Sequence, residues 1–254
     1  MPPRKKQKTA NPTAIPETPA DFPNTALLRR ALNQHAHALS LRSKEHTKNP
    51  DALTELDTWL TDSKTGLSAK ISSSQPVDKT DMTSLMKWKL SRGKSRPTLL
   101  NLVASNPDAL VLKATSAALV VVRDAKDDLE RALLALPDAC AMKGVGAATA
   151  SALLTLQPPH LLPFMSDEAA SFFAPTFGPI KYTDPFYKKF ARAMVAEVGR
   201  LNAEASNGVQ RWDSMKLERA LFTICILRKH GEDGTLEDEG GTSTSPSLKR
   251  KRED

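Results

Sequence analysis

The stretch with most chemical potential runs Met142-Lys143-Gly144-Val145-Gly146-Ala147-Ala148-Thr149-Ala150, followed by Pro163-Phe164-Met165-Ser166-Asp167. Gly144 can take a backbone angle closed to other residues, and Val145 can plug between two helices. Gly146 leaves the next helix N-terminus uncovered, so its amides can point at a phosphate. Lys143 adds a charge there, and Thr149 a hydroxyl. Asp167 follows Gly146 by 21 residues. A carboxylate at that place is a candidate catalytic acid beside a surface that can grip a phosphate backbone. It can equally begin a helix, because Ser166, Asp167 and Glu168 are all favourable there. Phe164, Tyr182 and Trp212, with Phe172 and Phe173, are aromatic surfaces that can contact a ligand or belong to the core.

A second group of residues lies upstream. Lys87-Trp88-Lys89-Leu90-Ser91-Arg92-Gly93-Lys94-Ser95-Arg96-Pro97 carries five basic residues in eleven. Gly93 ends a helix and is expected to leave Arg92, Lys94 and Arg96 on an exposed turn, where they can clasp phosphates. The alternative is a solvated charged face or a surface for an acidic protein. Trp88, beside Leu85 and Leu90, reads as core. Lys181, Lys188, Lys189 and Arg192 add charge around Tyr182 and Tyr187.

The hairpin, the proline-rich segment 157–165 and Asp167 resemble the helix-hairpin-helix DNA glycosylases over roughly 124–174. The resemblance implies an all-α fold, with two helical lobes around a cleft and the hairpin at 126–156. It implies that Lys143, Gly144, Val145, Gly146 and Thr149 hold double-stranded DNA by its backbone, and that Asp167 assists loss of a flipped base by stabilising the positive charge that grows on the sugar, with Phe164, Tyr182 and Trp212 as candidates to line the base pocket. Bifunctional members carry a lysine nucleophile two residues after the second hairpin glycine. That residue here is Ala148, so the resemblance implies a monofunctional enzyme without a lysine-linked intermediate. The departure at Glu168-Ala169-Ala170 leaves a noncatalytic DNA-binding or protein-interaction scaffold as the alternative.

The elements that position these residues read as helices throughout. Helices are expected from Asn24 or Thr25 to about His46, from Pro50 through Trp59, over 78–90, over 97–103, and from Pro107 through Val121. Others follow over 124–136, closed by Pro137, and over 147–156, 167–173, 185–205 and 212–229. Residues 63–77 read as a mobile connection. The prolines and lysines of 1–22 and the polar run 231–254 read as disordered tails around a core at 23–230. Arg4-Lys5-Lys6 with Lys8, and Lys249-Arg250-Lys251-Arg252, are candidate nuclear import signals.

The formal net charge of +7 over 254 residues permits a nucleic-acid partner. Two cysteines, Cys140 and Cys225, supply neither a disulfide framework nor the four thiolates of an iron–sulfur cluster, and point to a reducing compartment. No metal site from side chains and no cofactor are expected: His35 and His37 stand two apart on a helix and face apart. No apolar run is long enough for a membrane span, and the basic start lacks the apolar stretch of a secretory signal.

Overall fold

The computed structural model describes residues 19–45, 49–157, 161–205 and 210–236. Every regular element among them is helical. The first is α1 (Thr25–Asn33), capped by Asn24, whose Oδ1 accepts from the Leu27 amide at 2.9 Å. The single helix expected over this region breaks at Gln34, which leaves helical geometry at φ −95° and ψ 8°, and α2 (His35–Lys44) sets off separately. Next come α3 (Ala52–Thr61) and α4 (Leu67–Ser72).

α4 lies in the segment expected to be a mobile link. Its anchor is an i, i+4 apolar pair, with Leu67 1% and Ile71 2% exposed. The turn before it is built by Asp62, whose carboxylate accepts from the amides of Lys64 at 2.9 Å and Thr65 at 3.2 Å. Two apolar residues among serines and lysines are too few to show as a period, and burial alone makes them an element.

α5 (Lys79–Arg92) begins with a reciprocal cap between Asp78 and Asp81 and stops at Gly93. Pro97 occupies the first turn of α6 (Pro97–Ala104), where a missing N–H is harmless. α7 (Asp108–Ala125) carries Val120, Val121 and Val122 within the helix and ends before Lys126, held at φ +54°. The helix expected over 124–136 is broken up: α8 (Leu129–Ala132), a 3-10 turn over Leu133–Ala135, and α9 (Leu136–Ala139). Pro137 does not close a helix but sits in the first turn of α9, for the same reason that Pro97 opens α6.

α10 (Ala147–Leu154), α11 (Asp167–Ser171), α12 (Ala174–Phe177), α13 (Asp184–Ala203) and α14 (Ser214–His230) complete the set. α11 is shorter than expected because α12 starts afresh with Pro175 in its first turn. α14 packs against α1, α2, α11 and α13 and ends on Gly231 in the left-handed region, φ +70°.

One buried cluster gathers side chains from Leu28 to Leu236, drawn from both halves of the chain. The core extends past the expected limits at each end. Phe22 lies 6.0 Å from Phe172 and 5.4 Å from Phe173, ring centre to ring centre. A final 3-10 turn, Asp233–Leu236, buries Leu236, whose carbonyl accepts from Arg30 Nε at 2.6 Å. Both basic clusters, the prolines at 158 and 159, and the rest of the expected tails lie outside the described residues.

Candidate active site

The hairpin is built on apolar side chains. Met142 and Val145 are buried, and the Val145 amide bonds the Met142 carbonyl at 3.2 Å. Gly144 has φ +78° and backs directly onto α6: a Cβ there would stand 2.8 Å from Leu102 Cβ and 3.1 Å from the Leu99 carbonyl oxygen. Asn106 clamps the turn, accepting from the Lys143 amide at 2.8 Å and donating to the Lys143 carbonyl at 3.0 Å. Its Nδ2 also caps the end of α6 through the Leu102 and Val103 carbonyls. Sequence reading missed Asn106. Its only trace is an Asn-Pro pair after an apolar helix, which signals a turn and not a tertiary clamp.

Lys143 and Gly146 are exposed, and a Cβ on Gly146 would meet nothing within 4 Å. Gly146 is the N-cap of α10 with no side chain covering it. Thr149 is only 2% exposed overall, yet it lines the groove beside Gly146, and its amide bonds the Gly146 carbonyl at 2.9 Å.

Arg92 corrects the sequence reading. It was expected on an exposed turn, yet it is 3% exposed. α5 continues to Arg92 before Gly93 stops it, so Arg92 falls on the face of Leu85 and Trp88, seven and four residues earlier. Its Nη2 donates to both oxygens of Glu218 at 2.7 and 2.8 Å. Its guanidinium lies over the rings of Phe222 at 4.0 Å, Trp88 at 5.3 Å and Phe164 at 5.4 Å. Trp88 is core, donating to Asp57 Oδ1 at 2.9 Å.

Lys94 and Arg96 are exposed as expected. Their loop is fixed from behind by Arg42, which bonds the Arg92 carbonyl at 2.8 Å and also the Gly93 carbonyl. Arg42 is in turn ion-paired to Glu45, which also takes Lys229 at 2.7 Å and His230 at 2.9 Å. Burial opposes ionisation of Glu45, but those cations prevail and bring its pKa down to about 2.

Ser166, not Asp167, caps α11. Its Oγ accepts from the Ala169 amide at 3.2 Å and donates to Glu218 Oε1 at 2.6 Å. Asp167 is therefore released from the capping role and faces outward, with a quarter of its side chain exposed (26%). It accepts from the Tyr182 hydroxyl at 2.6 Å, and Lys94 Nζ is 4.0 Å away. Tyr182 in turn lies beneath Arg96, 4.8 Å from guanidinium to ring centre. Burial, then the Asp167 carboxylate, pushes the Tyr182 phenol up to about 12. Burial also raises the pKa of Glu168, with the Glu218 and Asp167 carboxylates adding to it and Arg92 opposing.

These groups enclose a cleft floored by Phe164 and walled by Lys89, Arg96, Ala148, Asp167, Glu168 and Tyr182. Its open space of about 30 Å³ suits a water or two. A groove of about 280 Å³ runs beside it along Leu99, Gly144, Val145 and Gly146, and shares Lys89, Arg96, Ala148 and Tyr182 with the cleft. The hairpin and Asp167 thus open on the same side of the molecule. The 161–165 segment that holds Phe164 is pinned by Tyr187, wholly buried, whose hydroxyl donates to the Pro163 carbonyl at 3.1 Å.

Of the three aromatic pocket candidates, the cleft takes Phe164 and Tyr182 but not Trp212. Trp212 is 4% exposed and lies under Arg29 at 5.4 Å, with its backbone tied to Asn202. It belongs to the packing between α13 and α14. Lys89 and Glu168 are the site residues that sequence reading passed over, one as a member of a charge run and the other as a departure from a pattern.

Among the described residues no group of three or more His, Cys, Asp or Glu side chains is arranged to hold a metal ion. No described helix is long and apolar enough to cross a membrane. No family model, no curated protein and no solved structure matches the chain.

Proposed function

We propose that this chain is a DNA-binding protein of glycosylase-like design, its two helical halves meeting at the cleft, that excises bases without a metal or cofactor. The carrying observation is the groove shared by the hairpin and the Asp167 cleft, through Lys89, Arg96, Ala148 and Tyr182. Backbone phosphates of duplex DNA would lie against Gly146, Lys143, Lys94 and Arg96, where exposed charge flanks an uncovered helix end. Asp167 would stabilise positive charge on the sugar, and Glu168, kept towards its neutral form by burial, would hand a proton to the leaving base. The basic clusters at both ends of the chain would serve nuclear import.

The test is base release from a panel of lesion-bearing duplexes. Asp167→Asn is expected to lower release by about 10²–10⁴-fold while duplex binding persists. Reversing Lys94 and Arg96 to glutamate is expected to weaken binding and to flatten its salt dependence, by about one unit of slope for each phosphate no longer neutralised. Unchanged affinity in that double variant would remove the phosphate surface from the account.

One observation favours a second reading. The Tyr182 hydroxyl occupies Asp167, and the cleft has no room for a base until it moves. A noncatalytic nuclear scaffold, gripping DNA or an acidic protein through the same face, fits that closed arrangement. No base release from any lesion, with equal duplex binding by wild type and Asp167→Asn, selects it.

A further inference from the structure

α7 buries one side, through Val111, Ala114, Thr115, Ala118 and Val122. Its other side meets water with apolar side chains. Leu112 is 38% and Val120 41% exposed, with Ala109 and Ser116 exposed and Ala117 and Val121 half-buried on the same face. The 3-10 turn packed against α7 adds Leu134, 63% exposed. An apolar face of this kind on the outside of a fold marks a contact with another molecule.

The charges on that face say what covers it. Lys113, Ala117, Val120 and Asp124 stand at i, i+4, i+7 and i+11 and so form one stripe along the helix. A positive end, two apolar residues and a negative end complement their own reversed copy. With a two-fold axis between Ala118 and Leu119, Lys113 meets the partner's Asp124, Ala117 meets the partner's Val120, and Ser116 meets the partner's Val121. Each small side chain then faces a larger one, which lets the two helices approach. A parallel pairing would set each charge on its own copy, and like charges oppose it. Both charges are open to a partner. Lys113 is exposed, with no ion pair among the described residues, and Asp124 has only its chain neighbour Arg123, at 3.8 Å. Arg123 itself turns off the stripe and donates to Ser74 Oγ at 3.2 Å.

We propose that α7 is the seam of a homodimer, in which two copies of this chain pack antiparallel about a two-fold axis with Lys113 on the partner's Asp124 and Ala117 on the partner's Val120. Such an interface closes on itself and leaves no open end for further copies. The 18 residues of α7 give a seam about 27 Å long. A contact of that length lies at the low end for a dimer, so the pair is expected to dissociate on dilution. No residue of α7 lines the Asp167 cleft or the hairpin groove. The pair leaves both open, and the inference is independent of the DNA reading.

The experiment is sedimentation equilibrium on the full chain, over a concentration series reaching the submillimolar range. The wild type is expected to pass from 27.7 kDa towards twice that mass. Lys113→Glu and Asp124→Lys each set like charges together at both ends of the seam, and each is expected to weaken the dimer by at least about tenfold. Mixed, the two variants are expected to associate as the wild type does, because every charge then meets its opposite. A fluorescent label on one of them reads the mixed dimer. Val120→Arg, in the middle of the stripe, is expected to abolish association. All three positions are on an exposed helix face, and thermal denaturation checks that each variant keeps its fold. A wild type that stays monomeric throughout overturns the proposal and leaves the face to a different protein or to solvent. A dimer of wild-type strength from Val120→Arg, or from both charge variants, places the interface elsewhere. Failure of the mixture to restore association overturns the antiparallel register.

Discussion

Arg92 and Glu218 are 3% and 1% exposed and meet in the middle of the molecule. Such a pair adds little over a well-packed apolar pair, because both charges have given up water. Removing one partner is different, since it strands the other. Arg92→Ala is expected to destabilise the fold by about 3–5 kcal/mol, measured by urea denaturation, with part of the loss restored by adding Glu218→Gln. A surface phosphate ligand would behave otherwise: the variant would keep its stability and lose DNA affinity. The pair also reaches the site, because Glu218 accepts from Ser166 and so fixes the start of α11 next to Asp167. From sequence Arg92 reads as a turn residue because a charge run resembles surface. Its register with Leu85 and Trp88 is the contrary signal, and periodicity outweighs charge when the helix has not yet ended.

At the scale of the element, the hairpin separates two glycines that look alike in sequence. Gly144 needs its positive φ and faces α6 at a distance that a Cβ cannot share. Gly146 sits at φ −111°, open to any residue, with free space around it. Gly144→Ala is therefore expected to cost about 1–3 kcal/mol of stability. Gly146→Ala is expected to leave stability within about 0.5 kcal/mol, yet to weaken duplex binding by standing between the backbone amides and a phosphate. Thermal denaturation and anisotropy on the same two proteins check both halves. Equal DNA affinity for Gly146→Ala and wild type would mean that the hairpin is a helix-packing turn and nothing more. The turn itself was legible from the glycines and Val145. The clamp by Asn106, 37 residues before Lys143, was not, because hydrogen bonds across such a separation leave no local pattern.

At the scale of the whole molecule, acid is expected to act through the packing of α2 against α14. His35 lies against Phe222, 5.7 Å between ring centres, and its Nδ1 is 3.3 Å from Thr223 Oγ1, while its buried Nε2 has no partner. Burial, then Arg92 and Arg219, holds its pKa well below 6.5. Well above pH 6.5 the imidazole is neutral in both folded and unfolded chains, so stability there is independent of it. As pH falls through 6.5 the unfolded chain takes up a proton that the folded chain refuses, and stability drops from that plateau. The expected loss reaches about 1.4 kcal/mol at pH 5.5. His35→Leu is expected to flatten the decline over that range in a urea series, and an unchanged decline would assign it to other groups.

The sequence by itself determined what local physics determines. Apolar spacing, a cap at Asn24, Pro97 in a first turn and the glycine stop at 93 set an all-helical chain, and the basic loop at Lys94 and Arg96 was readable beside them. Only the tertiary structure decided which charges face water and which face one another. It buried Arg92 on Glu218, sent Trp212 to a different part of the core, gave the cap of α11 to Ser166, and carried Lys89 to the wall beside Ala148. The reason is that a helix fixes the direction of each side chain about its own axis. What lies in that direction depends on helices far away in the chain, whose packing is chosen by the summed burial of the core and not by any residue near the site.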